Sequence, residues 1–228
     1  MDVIAHRGFA AEGVENALPT LRSAEERADA VEFDVRLAGD GTPVVVHDAT
    51  LDRLTGARGP VTAFDADQLG RLRLAGTDAT IPTLAAVLAA LSGPVVADLK
   101  VDRLTAAVVT PLREYDARVL VSSANPDVLE SLPRDLATAV LALPASVDAD
   151  WTVPAAAPRS VDAAIDVAER TDAVAIHAHT SLCNTSRVRR AQSVVFAVNA
   201  YTIRDRETAA AMRAAGVDGL IADSPDVV

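Results

Sequence analysis

Three acids and two histidines stand where their side chains can converge. Glu32 and Asp34 lie two apart within one apolar run, and Asp98 lies two before Lys100 at the end of another. Residues two apart on a strand project from the same face. His6 closes the first apolar run, ahead of Arg7 and Gly8, and His47 closes a further one, beside Asp48. Carboxylates gathered in one place repel one another unless a cation sits among them, and oxygen-only ligands select a hard ion, Mg²⁺ or Ca²⁺. Two imidazoles flanking a metal-bound group can act as general base and general acid in one step. Arg7 and Lys100 add positive charge of the kind that phosphate oxygens require. Lys100 is the single lysine of the chain, against 20 arginines, so its survival points to a need for an ammonium.

These residues need strands to carry them. Short apolar runs cover residues 2–6, 30–36, 95–100, 119–122, 138–143, 173–177, 194–203 and 219–222, and read as buried parallel strands. Between them, residues 16–28, 83–92, 103–115, 126–133, 160–170, 185–192 and 206–215 have helical composition. The last is the clearest, with Ala209, Met212 and Ala215 at helical spacing and Gly216 as a C-terminal stop. Eight strands alternating with helices over 228 residues predict an α/β chain of one domain, a (β/α)₈ barrel. An open doubly wound sheet is the alternative, because periodicity does not show closure. In a barrel the catalytic side chains collect at the C-terminal strand ends, where the acids and histidines above are found.

Two stretches break the alternation. After the second strand, Gly39 to Gly41 signals a turn, and Thr42 to Val46 reads as an extra strand running into His47. Residues 40–80 are expected to be an elaborated insertion with a hairpin and a short helix near Asp65 to Leu72. Residues 144–160, with three prolines and the only tryptophan, Trp151, form a second long loop.

Composition narrows the class. The chain carries 32 acids against 21 bases, a net charge of −11, so it lacks the basic face that nucleic acids or anionic membranes require. One cysteine, Cys183, excludes an intrachain disulfide framework and a four-cysteine zinc site. No apolar run approaches the roughly 18 residues of a membrane span, and no basic leader follows Met1, so a soluble, cytoplasmic protein is expected. Aspartates outnumber glutamates 23 to 9. That excess, with lysine depletion, suits a cytoplasm at molar salt, where the Debye length falls to about 3 Å; GC-rich codon usage is the other source of such a composition.

The ordered set of motifs resembles the glycerophosphodiester phosphodiesterase family. The likeness runs from His6-Arg7-Gly8 through Glu15, Asn16, Glu32, Asp34, Asp40, Gly41, His47 and Asp48. It continues through Leu51, Arg53, Gly59, Pro82 to Leu84, Asp98 and Lys100, and resumes at Gly216 to Asp218 and Asp223 to Pro225. The resemblance implies a (β/α)₈ barrel and a divalent ion, Mg²⁺ or Ca²⁺, held by Glu32, Asp34 and Asp98. It implies His6 and His47 as the catalytic pair, and Arg7 and Lys100 on the phosphate. Glu15, Asn16 and Tyr201 join them as substrate-binding residues. The substrate would be a small glycerophosphodiester, cleaved to glycerol phosphate and an alcohol, with neither nucleic acid nor membrane insertion involved.

The departures bear on the substrate. Asp98 stands where the family usually has Glu, one methylene longer, which opens a phospholipase D-like activity on lysolipids as an alternative. Ala17 loses a hydroxyl, and Tyr201-Thr202-Ile203-Arg204 replaces Trp-Thr-Val-Asn, so a non-catalytic glycerol phosphate sensor is a further alternative and Arg204 favours a more anionic substrate. Single residues also have ordinary readings. Asn16 could cap the first helix, Asp48 could orient His47 or hold the insertion, and Tyr201 could be barrel packing. His177 and His179 read as structural or peripheral, with His179 the one that could line a pocket.

Overall fold

The computed structural model describes residues 1–146 and 154–228; Trp151 and the middle of the 144–160 loop lie outside the described residues. In chain order the elements are β1 (Asp2–Ala5), α1 (Leu18–Glu25), β2 (Ala30–Leu37), β3 (Pro43–Val45), α2 (Ala66–Leu69), α3 (Leu84–Ala90), β4 (Val95–Leu99), α4 (Ala106–Arg113), β5 (Val119–Ser123), α5 (Pro126–Ser131) and β6 (Ala137–Ala142). They continue with α6 (Val161–Thr171), β7 (Ala175–His179), α7 (Thr185–Gln192), β8 (Ala197–Ile203), α8 (Arg206–Ala215) and β9 (Gly219–Ala222). Among the described residues no helix is long and apolar enough to cross a membrane.

Eight of the nine strands are parallel, in the order β1, β9, β8, β7, β6, β5, β4, β2, and β1 pairs with β2 to close the barrel. Closure is what periodicity left open. The ninth strand, β3, is antiparallel on β2, with Val35 opposite Val45, so the extra apolar run is a hairpin outside the barrel. The insertion has its own small core of Ala38, Val44, Val46, Leu51, Val61, Leu69, Leu74 and Ile81. The expected short helix forms as α2, with a capping box between Asp65 and Gln68.

Inside the barrel, Ile4, Val96 and Ile221 pack together, with Ala30 and Leu120 against them. They come from five consecutive barrel strands, β9, β1, β2, β4 and β5, and residues such as Val96 and Ile221, whose strands are not adjacent, meet only in the interior. They form an apolar plug. Continuing in steps of two toward the C-terminal ends, the same faces carry His6 after Ile4, Glu32 and Asp34 after Ala30, Asp98 after Val96 and Ser122 after Leu120. The pleat therefore places a polar layer on an apolar floor.

The first strand end is shaped by backbone rather than by packing alone. His6 to Gly8 form a 3₁₀ turn in which Arg7 takes φ 50° and Gly8 takes φ 79°. A Cβ on Gly8 would stand 2.9 Å from the Leu21 backbone nitrogen. Glycine is therefore required there on two counts, left-handed backbone and close approach. We expect Gly8→Ala to lower stability by about 1–3 kcal/mol, read from chemical denaturation. Unchanged stability would show that the turn relaxes freely.

Candidate active site

A cavity of about 580 Å³ opens at the C-terminal end of the barrel. His6, Arg7, Glu15, Glu32, Asp34, His47, Asp98, Lys100 and Tyr201 all line it, so the structure brings together nine of the ten site residues expected from sequence. The tenth, Asn16, stands behind Asp34. Its side chain donates to Asp34 Oδ2 at 2.8 Å and accepts from the Asp34 backbone N–H at 3.1 Å. Helix α1 begins later, with Ala17 as its N-cap, so Asn16 does not cap it.

The three acids form one group. Oxygens of Glu32, Asp34 and Asp98 all lie within 4.8 Å of one another, and all three residues are buried. Lys100 Nζ donates to Asp98 Oδ2 at 2.6 Å and lies 3.2 Å from Asp34 Oδ1, while Arg7 Nε lies 3.2 Å from Asp34 Oδ2. Burial alone would raise the Asp34 pKa, but Lys100 and Arg7 outweigh it and hold the carboxyl well below its ordinary range. Burial likewise works against charge on Lys100, and Asp98 and Asp34 outweigh it to raise its pKa. Glu32 differs. It accepts the Arg7 backbone N–H at 2.7 Å, but burial and the charges of Asp34 and Asp98 push its pKa well above the ordinary value. Ionised together, the three carboxylates carry more negative charge than Lys100 and Arg7 offset, which is why Glu32 resists ionisation; a divalent ion among these all-oxygen donors would offset the rest. The residues fit such an ion.

Each histidine is oriented by a carboxylate. His6 Nδ1 meets Asp223 Oδ1 at 2.6 Å, and His47 Nδ1 meets Asp48 Oδ1 at 2.8 Å. With Nδ1 donating, Nε2 is left as the basic nitrogen for a substrate proton. Burial lowers the pKa of both, opposed for His6 by the Asp223 hydrogen bond and for His47 by the Asp34 charge. His47 is further fixed through its backbone. Its carbonyl accepts Arg36 Nε at 2.7 Å, and the preceding Val46 N–H donates to the Asp34 carbonyl at 3.0 Å.

A ring of charge surrounds this centre. Arg53 donates to Asp48 Oδ2 at 2.6 Å and to Glu15 Oε1 at 2.7 Å, and Glu15 Oε1 also accepts Arg7 Nη1 at 2.9 Å. Glu15 thus reaches the site through Arg7 and Arg53. Tyr201 donates its hydroxyl to the Ala142 carbonyl at 2.8 Å, so its ring is held as a wall.

Sequence reasoning gave no site role to Asp223 or Ser122, and it reached Arg204, His177 and His179 only in part. Asp223 follows the last barrel strand by one residue, and the strand-end rule applied to β9 would have found it. Ser122, which donates to Asp98 Oδ1 at 2.9 Å, is two past Leu120 and was findable by the same alternation. Arg204 lines the mouth and donates Nε to Asp223 Oδ2 at 3.0 Å, so its charge is tied to the His6 carboxylate. His177 and His179 both line the cavity, because their alternation on β7 faces inward; His179 was the one that could be expected there, whereas His177 read as structural or peripheral.

The profile of the glycerophosphoryl diester phosphodiesterase family matches residues 6–227. The chain belongs to that family. A glycerophosphodiester phosphodiesterase from Caldanaerobacter subterraneus is 42% identical over 71 residues, a match spanning 31% of this chain and 29% of that relative. A phosphodiesterase from Oleispira antarctica, solved in complex with the product sn-glycerol-3-phosphate, is 26% identical with a TM-score of 0.83, covering 100% of this chain and 95% of that one. A Thermotoga maritima glycerophosphodiester phosphodiesterase shares the fold, with TM-score 0.76, 23% identity, and coverage of 100% and 96%.

For this phosphodiesterase-family chain, the charge imbalance at Glu32 has a measurable consequence. Glu32→Gln keeps an acceptor for the Arg7 N–H and removes the uncompensated charge. In EDTA, we expect the variant to melt above the wild-type protein. Added Mg²⁺ or Ca²⁺ should raise the wild-type Tm and leave the variant little changed. A variant that melts lower in EDTA, or gains as much from metal, would contradict the imbalance.

Proposed function

We propose that this chain is a divalent-metal-dependent phosphodiesterase that hydrolyses glycerophosphodiesters to glycerol phosphate and an alcohol. The observation that carries the reading is the pair of carboxylate-oriented histidines lining one cavity with the buried three-carboxylate group, against which Arg7 and Lys100 are held. Glu32, Asp34 and Asp98 would hold Mg²⁺ or Ca²⁺, which when bound would offset charge that develops on the phosphoryl oxygens. Arg7 and Lys100 hold those oxygens and keep the phosphorus between the imidazoles. Glu15 and Arg53 brace Arg7, Asn16 braces Asp34, and Tyr201 walls the opposite side.

The histidines divide the proton work. Both are neutral near pH 7, so one accepts the proton of the attacking oxygen as the new P–O bond forms. The attacker is water, or the glycerol hydroxyl by way of a cyclic phosphate. The other histidine, which takes up a proton from solvent when the anionic phosphodiester binds beside it, passes that proton to the alcohol oxygen as the old P–O bond breaks. Asp223 and Asp48 stabilise whichever ring is positive.

The test is release of glycerol phosphate from glycerophosphodiesters, run in molar KCl because the Asp-rich, lysine-poor composition suits high salt. We expect no release in EDTA, release on restoring Mg²⁺, Ca²⁺ or Mn²⁺, and a loss of at least about 10² in turnover for His6→Ala and for His47→Ala. Full activity in both variants would end the histidine assignment. Hydrolysis of lysolipids alone would move the reading to a lysolipid phospholipase D, and binding of glycerol phosphate without turnover would move it to a sensor.

A further inference from the structure

The two halves of the cavity differ in kind. Strands β1, β2 and β4 present the charges, whereas β6 to β8 present Leu141, His177, His179 and Tyr201. His177 is the anomaly on that wall. It is 1% exposed, and its Nε2 is buried with no hydrogen-bond partner among the described residues. Leaving a buried polar nitrogen unpaired is unfavourable, so an apolar side chain would close this wall more stably. Leu141, the register partner of His177 on β6, does so one strand away. Burial also pushes the ring's pKa down to about 4, with Asp98 opposing from across the barrel. The imidazole is therefore neutral at working pH and offers one donor and one acceptor.

The substrate's two ends place different demands on the cavity. The alcohol leaving group varies in size and needs an open route, which exists at the rim where Arg204 is exposed and His179 is half-buried. Glycerol is small and constant, so it suits the closed end where His177 lies. Its hydroxyl farthest from the phosphate is the group that distinguishes it from a simple diol. We propose that His177 is a specificity residue whose ring hydrogen-bonds the glycerol hydroxyl farthest from the phosphate. This rests on the reading of the site as a glycerophosphodiesterase. Discrimination follows because a substrate lacking that hydroxyl leaves a buried ring nitrogen unpaired.

The experiment compares kcat/KM for the 4-nitrophenyl phosphodiesters of glycerol and of propane-1,2-diol, which lacks only the terminal hydroxyl. The wild-type protein should prefer the glycerol ester by about 10- to 100-fold. His177→Leu should reduce that ratio to below about 3-fold, and His177→Gln, which restores a hydrogen-bonding side chain, should recover part of it. Thermal melts confirm that each variant folds; if the leucine variant does not, the ratio for the glutamine variant relative to wild type decides. Equal preference in wild type and variant, or an equal loss on both esters, would overturn the assignment and leave His177 structural. A wild-type protein that cleaves neither ester overturns the phosphodiesterase reading itself and the assignment with it.

Discussion

Burying three carboxylates within 4.8 Å of one another is the constraint on which the rest of the site depends. In low dielectric such a group is unfavourable unless positive charge is brought to it, and the fold delivers that charge from several directions. Lys100 follows Asp98 by two residues on the same strand and arrives on the same face. Arg7 reaches Asp34 from the first strand end, where left-handed backbone turns it inward. Each cation is braced in turn, Lys100 between two acids and Arg7 by Glu15, with Arg53 behind. What these do not fully offset is the cost of ionising Glu32, and that cost is the physical basis for expecting a divalent ion.

The barrel makes this arrangement available because its pleat alternates. A plug of Ile4, Val96 and Ile221 fills the floor, and the next inward positions above it are polar. The hairpin of β3 and the insertion do the remaining work. They bring His47 back over the mouth from outside the barrel, with Arg36 and the Asp34 carbonyl fixing its backbone. The two histidines thus arrive on unrelated elements, and each meets its own carboxylate.

Much of this was legible in the residues alone, for identifiable reasons. Pairs two apart, such as Glu32 with Asp34 and Asp98 with Lys100, declare a shared strand face, and short apolar runs ending in polar residues declare strand ends. Closure of the sheet was not legible, because it depends on the pairing of β1 with β2 and leaves no mark on periodicity. Nor was the role of Asn16, since a residue before a helix reads as a cap, whereas here φ of 60° turns its side chain to Asp34. His177 read as structural because no acid stands near it in sequence; that its ring lines the cavity depends on the closed barrel, which spacing along one strand cannot reveal.

Glu32, Asp34 and Asp98 would together hold one divalent ion, and a crystal structure of the protein grown with Mn²⁺, with anomalous scattering used to locate the metal, tests this. One strong anomalous peak is expected, ringed by oxygens of these three residues, with Lys100 still in contact with Asp98. A peak elsewhere, or Glu32 left outside the coordination sphere, would contradict it.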